Sequence, residues 1–204
     1  MKIAIIGAGN VGGTLGARWA HQGHEVAFGV RHKDNERTRT VLEASGPHAR
    51  ATSPAEAATF GGVVVLAVPY NALAETLSTL GDLQGKVLID AINNVMATPG
   101  AQAIAGQIAE MAPGARVVKA FNTMGWNVMA NADFGDMRAH NYICGDDPEA
   151  KALVTELSKQ IGFEVVDAGP LANAILLEGL ARLWINLAYQ QGFGRDIAFR
   201  LLRR

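Results

Sequence analysis

The residues best placed to organise chemistry lie near the start of the chain, where Ile3 to Gly16 reads Ile-Ala-Ile-Ile-Gly-Ala-Gly-Asn-Val-Gly-Gly-Thr-Leu-Gly. A short apolar run breaks into glycines and resumes with helical spacing, which predicts a strand, a tight turn and a helix start. Gly7 can take the turn, Gly9 lets the backbone approach a pyrophosphate, and Gly12 lets the new helix pack on the strand it has left. The free N–H groups and positive dipole of that helix would face the anion. Gly-x-Gly-x-x-Gly alone is a weak signal. Here the preceding strand and the following helix, Leu15 to Gln22, supply the context of a dinucleotide site.

A second group follows the strand predicted over His24 to Val30, which runs into Arg31-His32-Lys33. NAD enzymes of this architecture place an Asp or Glu at that point to hold the adenosine ribose. This chain has Gly29 and Val30 there, followed by two permanent cations, Arg31 and Lys33. A carboxylate would repel a 2′-phosphate, whereas Arg can hold one bidentately, so NADP is expected over NAD.

Other strand ends carry neutral polar groups. Val63 to Val68 is a continuous β-branched run of the kind buried in parallel sheets, and its end, Ala67-Val68-Pro69, offers an apolar shelf. Pro69 equally suits the start of a helix over Tyr70 to Leu80. The strand Lys86 to Asp90 is followed by Asn93 and Asn94, and the strand Arg116 to Ala120 by Asn122 and Thr123. Asn93, Asn122 and Thr123 are candidates to fix a nicotinamide or a second ring through neutral hydrogen bonds, whereas Asn94 and Asn127 read as turn residues. The five histidines lack ligand spacing, and Cys144 stands alone, so neither a metal site nor an intrachain disulfide is expected. Cys144 reads as an inert buried thiol, and Asp146 and Asp147 as caps of a helix over Glu149 to Ile161.

These groups require a scaffold of alternating strands and helices. A polar helix over Asp34 to Ser45, a Ser53-capped helix over Pro54 to Phe60, a helix over about Gly100 to Met111, and strands at Asn141 to Cys144 and Phe163 to Asp167 complete the pattern. Ala132 to Arg138 reads as a surface loop. The fold class is α/β, a doubly wound, mostly parallel Rossmann-like sheet over residues 1–168, with a small C-terminal helical segment over 169–204. That segment is apolar almost all round and predicts burial on every face, by its own sheet, an aromatic cofactor ring or the partner of a homodimer. Arg200 to Arg204 reads as its basic helix end.

With 204 residues, 49% of them hydrophobic, and a formal net charge of −1, the chain suits one large domain and gives no sign of a nucleic-acid partner. No apolar run is expected to reach the length of a bilayer span. A strand beginning at Lys2 makes a soluble cytoplasmic protein, without membrane partners, the expectation.

Several segments together, Gly7-Ala8-Gly9-Asn10-Val11-Gly12, Gly29-Val30-Arg31, Ala67-Val68-Pro69, Val118 to Thr123, Cys144 to Asp147, Asp167 to Leu171 and Gly194-Arg195-Asp196, resemble the NADP oxidoreductases that depend on coenzyme F420. The resemblance covers nearly the whole chain. It implies hydride exchange between NADP(H) and a deazaflavin in a protein that is commonly a dimer. Ala8 to Val11 would hold the pyrophosphate and Arg31 the 2′-phosphate, while Ala67, Val68 and Pro69 would line the nicotinamide. Val30 replaces a serine found in many members, which leaves NADP preference to Arg31. Asn122 after Lys119-Ala120-Phe121 is similar to the cytosolic domains of metalloreductases, which use an ordinary flavin such as FMN or FAD. The second ring is thus a deazaflavin or a flavin.

Direct hydride transfer asks the protein for orientation and exclusion of water, and no general base is assigned. A redox sensor that binds NADP(H) without turnover is the alternative, and it would need no second pocket. A short relative of the imine or hydroxyacid reductases would need a longer helical segment than 169–204 provides.

Overall fold

A computed structural model of the chain describes residues 1–94 and 100–204. The elements run β1 (Lys2–Ile6), α1 (Asn10–His21), β2 (Glu25–Gly29), α2 (Glu36–Ser45), β3 (Ala49–Thr52), α3 (Pro54–Phe60), β4 (Val63–Leu66), α4 (Leu73–Thr79), β5 (Val87–Asp90), α5 (Ile104–Met111) and β6 (Arg116–Lys119). They continue with α6 (Trp126–Ala130), β7 (Asp133–Phe134), β8 (Met137–Arg138), β9 (His140–Gly145), α7 (Pro148–Gln160), β10 (Glu164–Asp167) and α8 (Ala174–Ile185). The main sheet has the order β10-β9-β6-β5-β4-β1-β2-β3, and every pairing is parallel except β6 with β9.

Side-chain alternation along the central strands feeds two cores. Ile3, Ile5, Val63 and Val65 join Leu15 and Trp19 of α1 and Val154 and Leu157 of α7 on one face. Ala4, Ile6, Val64 and Leu66 join residues of α3, α4, α5 and α8 on the other. Strands buried on both faces leave no polar alternation, as the apolar run of β4 required. The cap read at Ser53 is a full capping box with Glu56. Hydrogen bonds from Thr52 and from the Ser53 backbone and hydroxyl, with Lys33 nearby, draw the Glu56 carboxyl down to about 2.

The fold departs from the sequence reading in several places. β3 was not expected, because Ala-Arg-Ala-Thr, though alternating, is only four residues long and has no large apolar side chain; it survives as an edge strand on β2. The expected loop at Ala132 to Arg138 contains the β7–β8 hairpin, turned at Gly135 with φ +64°. The C-terminal segment is not helical throughout. After α8 one π-helical turn covers Asn186–Gln190, and residues 191–204 run without regular structure. Arg200 to Arg204 is therefore no helix end; Arg200 bonds the Arg138 carbonyl and pairs with Glu164. Asn127 caps no turn of its own, and its Nδ2 donates to the Arg195 carbonyl at 2.9 Å.

Nor is α8 buried on every face: Leu176 is 63% and Leu183 48% exposed. The stretch Leu171–Gln190, with 20 residues and mean hydropathy 1.3, does have the length and composition of a bilayer span, contrary to expectation. Its inner face instead carries a charged anchor. Glu178 Oε1 lies 3.0 Å from Lys119 Nζ, which lies 2.8 Å from Asp90 Oδ2, with both strand side chains 0% exposed. Lys119 also donates to the Ile92 carbonyl at 2.7 Å, and Glu178 accepts the Ile104 N–H at 2.8 Å. One ammonium thus ties together the ends of β5 and β6, and through Glu178 it fixes α8 and the start of α5.

Removing the cation would leave two buried carboxylates facing each other. Lys119→Met is expected to cost about 3–5 kcal/mol in urea denaturation, as breaking a buried ion pair does; a cost comparable to that of a surface pair, under about 1 kcal/mol, would show that the cluster is not an anchor.

Candidate functional site

A groove of about 860 Å³ runs along the carboxyl edge of the sheet, from Arg31 and Pro54 past Gly7 to Val11 to Ala67, Val68, Pro69, Asn93 and Trp126. Its floor is set by the first turn. Gly7 holds φ at +105°, and a Cβ there would lie 2.6 Å from the Ala67 carbonyl oxygen. At Gly12 a Cβ would come within 2.0 Å of the Gly7 carbonyl. Both glycines are demanded by the protein's own packing. Gly9 is different: its backbone is extended (φ −75°, ψ −172°), and a Cβ would meet only Arg37 Nη2, at 3.8 Å. Nothing in the fold calls for glycine at that position. α1 starts there with no side-chain cap and no acid in its first turn, so its N–H groups are left to the groove.

At the β2 end of the groove, Arg31 is exposed and forms no ion pair among the described residues. Lys33, the other expected phosphate contact, does not line the groove; it turns to Glu56, 3.5 Å away. Sequence reasoning missed Arg37, whose Nη2 donates to Asn10 Oδ1 at 3.0 Å across the phosphate turn. It lies on the first turn of α2, where the helix was foreseen but its facing side was not. The N-cap of that helix is Asn35, which accepts the Thr38 N–H.

At the other end, only one of the three neutral polar candidates reaches the groove. Asn93 lines it, whereas Asn122 and Thr123 are each 2% exposed and lie outside the lining. The expectation that Asn122 and Thr123 touch a ring is corrected: β6 ends in Phe121, whose positive φ of 62° turns the chain inward, and its N–H bonds Asn141 Oδ1. The Phe121 ring then sits edge-on between Trp19 and Phe163. Asn122 acts on the groove indirectly. Its carbonyl accepts from Asn93 Nδ2 at 2.7 Å, and its own Nδ2 donates to Asn93 Oδ1 at 3.1 Å and to the Leu177 carbonyl of α8 at 3.2 Å. Ile92, the residue before Asn93, is held through both of its backbone groups: its N–H donates to Asp90 Oδ1 and its C=O accepts from Lys119. Burial pushes the Asp90 carboxyl up against the pull of Lys119 and this N–H.

Trp126, an aromatic wall of the groove, follows Gly125, where a Cβ would lie 2.8 Å from the Trp184 ring. Elsewhere the chemistry is sparse. Burial pushes the Cys144 thiol up to about 12, so it is no nucleophile. Asp147 caps α7, while Asp146 bonds the Leu171 N–H. No three potential metal ligands cluster among the described residues.

Comparison with known proteins accords with this geometry. The sequence profile of the NADP oxidoreductases dependent on coenzyme F420 matches residues 2–94. A solved structure from Arthrobacter sp. FB24, assigned to the F420-dependent NADP reductases, superposes over 100% of both chains with a TM-score of 0.87 and 30% identity. The chain belongs to the coenzyme F420-dependent NADP oxidoreductase family. Its chemistry is therefore that of an NADP-dependent oxidoreductase. Among other members, the F420-dependent NADP reductase of Methanocaldococcus jannaschii is 29% identical over 92% of each chain. Metalloreductase STEAP3 of Rattus norvegicus is 31% identical over 88% of this chain, which spans 36% of that relative's length. The family profile takes in Gly7 to Gly12, Arg31, Ala67 to Pro69 and Asn93. Asn122, Trp126 and α8 lie beyond it.

Two glycine variants separate packing from function. Gly12→Ala is expected to lower stability by about 1–3 kcal/mol or more, since α1 must lift from β1. Gly9→Val is expected to stay within about 1 kcal/mol of wild type while losing NADP⁺ binding in calorimetry; retained affinity would reduce the glycines to a turn.

Proposed function

We propose that the protein transfers a hydride between NADP(H), laid along the groove, and a deazaflavin such as coenzyme F420 or a flavin such as FMN or FAD. The observation that carries this reading is Gly9. Its open space at an uncapped helix N-terminus suits the close approach of a pyrophosphate, which no packing need of the protein explains. The residues around it fit the rest of the nucleotide. N–H groups of Ala8 to Val11 would hold the pyrophosphate, the unpaired Arg31 the 2′-phosphate, and Arg37 a neighbouring phosphate oxygen. Ala67, Val68 and Pro69 form an apolar floor for the nicotinamide beside the Asn93 amide. When bound, NADPH would supply the hydride to the second ring, and the proton that completes the ring's reduction would come from solvent rather than from a side chain.

The side chains therefore orient and exclude water. Asn93 is held by Asn122, and the Ile92 peptide by Asp90 and Lys119, so the wall facing the ring does not reorganise during transfer. A sensor without turnover would have no use for a groove that continues past the nicotinamide floor to Trp126. A homodimer is proposed through the outer face of α8, where Leu176 and Leu183 are one heptad apart and exposed.

Anaerobic NADPH oxidation with F420, FMN and FAD offered separately tests the reading; turnover with at least one is expected, and tight NADPH binding without turnover would favour the sensor. Arg31→Ala is expected to weaken NADPH by roughly 2 kcal/mol while leaving NADH little changed. Equal weakening of both would remove the 2′-phosphate assignment.

A further inference from the structure

The residues that follow α8 are clamped onto the rim of the groove. Trp184 Nε1 donates to the Ile197 carbonyl at 2.7 Å, and Asn127 Nδ2 donates to the Arg195 carbonyl at 2.9 Å and to Asp196 Oδ1 at 2.5 Å. These bonds set Arg195 over Trp126, with the guanidinium carbon 5.3 Å from the ring centroid. Arg195 is exposed and forms no ion pair among the described residues. A guanidinium resting on an aromatic face keeps its edge N–H groups free, and that edge matches the oxygens of a phosphoryl group.

Its place in the fold says which phosphate. Trp126 opens α6, after β6, and lines the groove with Asn93, whereas Arg31 follows β2, four strand positions away in the sheet. Arg31 thus lines the groove, and Arg195, outside the lining itself, stands over its wall residue Trp126, neither with an ion pair among the described residues. One cation is accounted for by the 2′-phosphate of NADP(H). The other stands beyond the nicotinamide floor, where a second ring would stack.

We propose that Arg195 is an anion-binding residue for the second redox cofactor, selecting a flavin or deazaflavin whose ribityl chain carries a phosphoryl group. The assignment rests on the hydride-acceptor reading above. Trp126 is its platform, and Asn127 and Trp184 hold the strap in place.

The test is fluorescence titration of the NADP⁺-saturated protein with FMN against riboflavin, and with F420 against its phosphate-free deazaflavin core. Wild type is expected to bind the phosphorylated member of at least one pair ten-fold or more tightly than its phosphate-free partner. Arg195→Gln should lose that preference, with NADP⁺ affinity and denaturation midpoint unchanged, and Arg195→Lys should retain part of it. The pair that shows the preference identifies the ring. Equal binding of both members by wild type, a preference retained in Arg195→Gln, or a matching loss of NADP⁺ affinity would overturn the proposal. Failure of every flavin and deazaflavin to bind wild type would overturn the acceptor reading itself, and Arg195's role with it, before any substitution is made.

Discussion

A single buried ammonium holds the working edge of this protein in shape. Lys119 has three oxygen acceptors, from Asp90, Glu178 and the Ile92 backbone, and is itself fully buried. An ion in such a place is tolerable only when its partners replace the lost water, and here they come from three separate elements. The bond to Ile92 sets the peptide before Asn93, the bond to Asp90 joins neighbouring strand ends, and the bond to Glu178 fixes α8. Asn122 adds a second tie, linking Asn93 to the Leu177 carbonyl of the same helix. The groove wall and the C-terminal helix are therefore one mechanical unit, and α8 reaches the cofactor site through its backbone and one carboxylate rather than by touching a ligand.

The first turn of the groove is set by backbone packing. Gly7 and Gly12 are fixed by close contacts with Ala67 and with each other, and Gly9 is left open. The charges that line the groove are Arg31, Arg37 beside Asn10 of the first turn, and Glu75 of α4, and Ala67, Val68 and Pro69 form its apolar floor. The Cys144 thiol is held protonated by burial, and the acids at Asp146 and Asp147 accept hydrogen bonds from backbone N–H groups. Such a site has little to offer acid–base or covalent catalysis. It has what hydride transfer between two rings needs, a rigid apolar floor, a fixed amide and a boundary against water.

Much of this was legible in the sequence, for physical reasons that differ by element. The β1 turn and α1 could be read because glycine spacing and hydrophobic period are local. So could the absence of a carboxylate after β2. The anchor could not, because Asp90, Lys119 and Glu178 are far apart in the chain and each looks like an ordinary charge. Asn122 and Asn93 have the same side chain, and only the inward turn at Phe121 decides that one faces the groove and the other supports it. Lys33 and Arg31 likewise share a loop, but Glu56 of the α3 capping box draws Lys33 away. The tail was misread because its apolar residues suit a helix, while Gly192 and Gly194, at φ +76° and +75°, end helical structure and send the chain back over Trp126.

The central claim is that this protein positions two rings for direct hydride transfer, to carbon 5 of a deazaflavin or nitrogen 5 of a flavin, without a protein acid or base in that transfer. The most direct measurement follows deuterium from NADPH labelled separately on each face of nicotinamide carbon 4, with a deazaflavin acceptor under anaerobic conditions. The account predicts that label from one face alone appears, in full, on carbon 5 of the reduced deazaflavin, and that none enters that carbon from deuterated water. Label washed out to solvent, or drawn from it, would show a proton-transfer step through the protein and contradict the account.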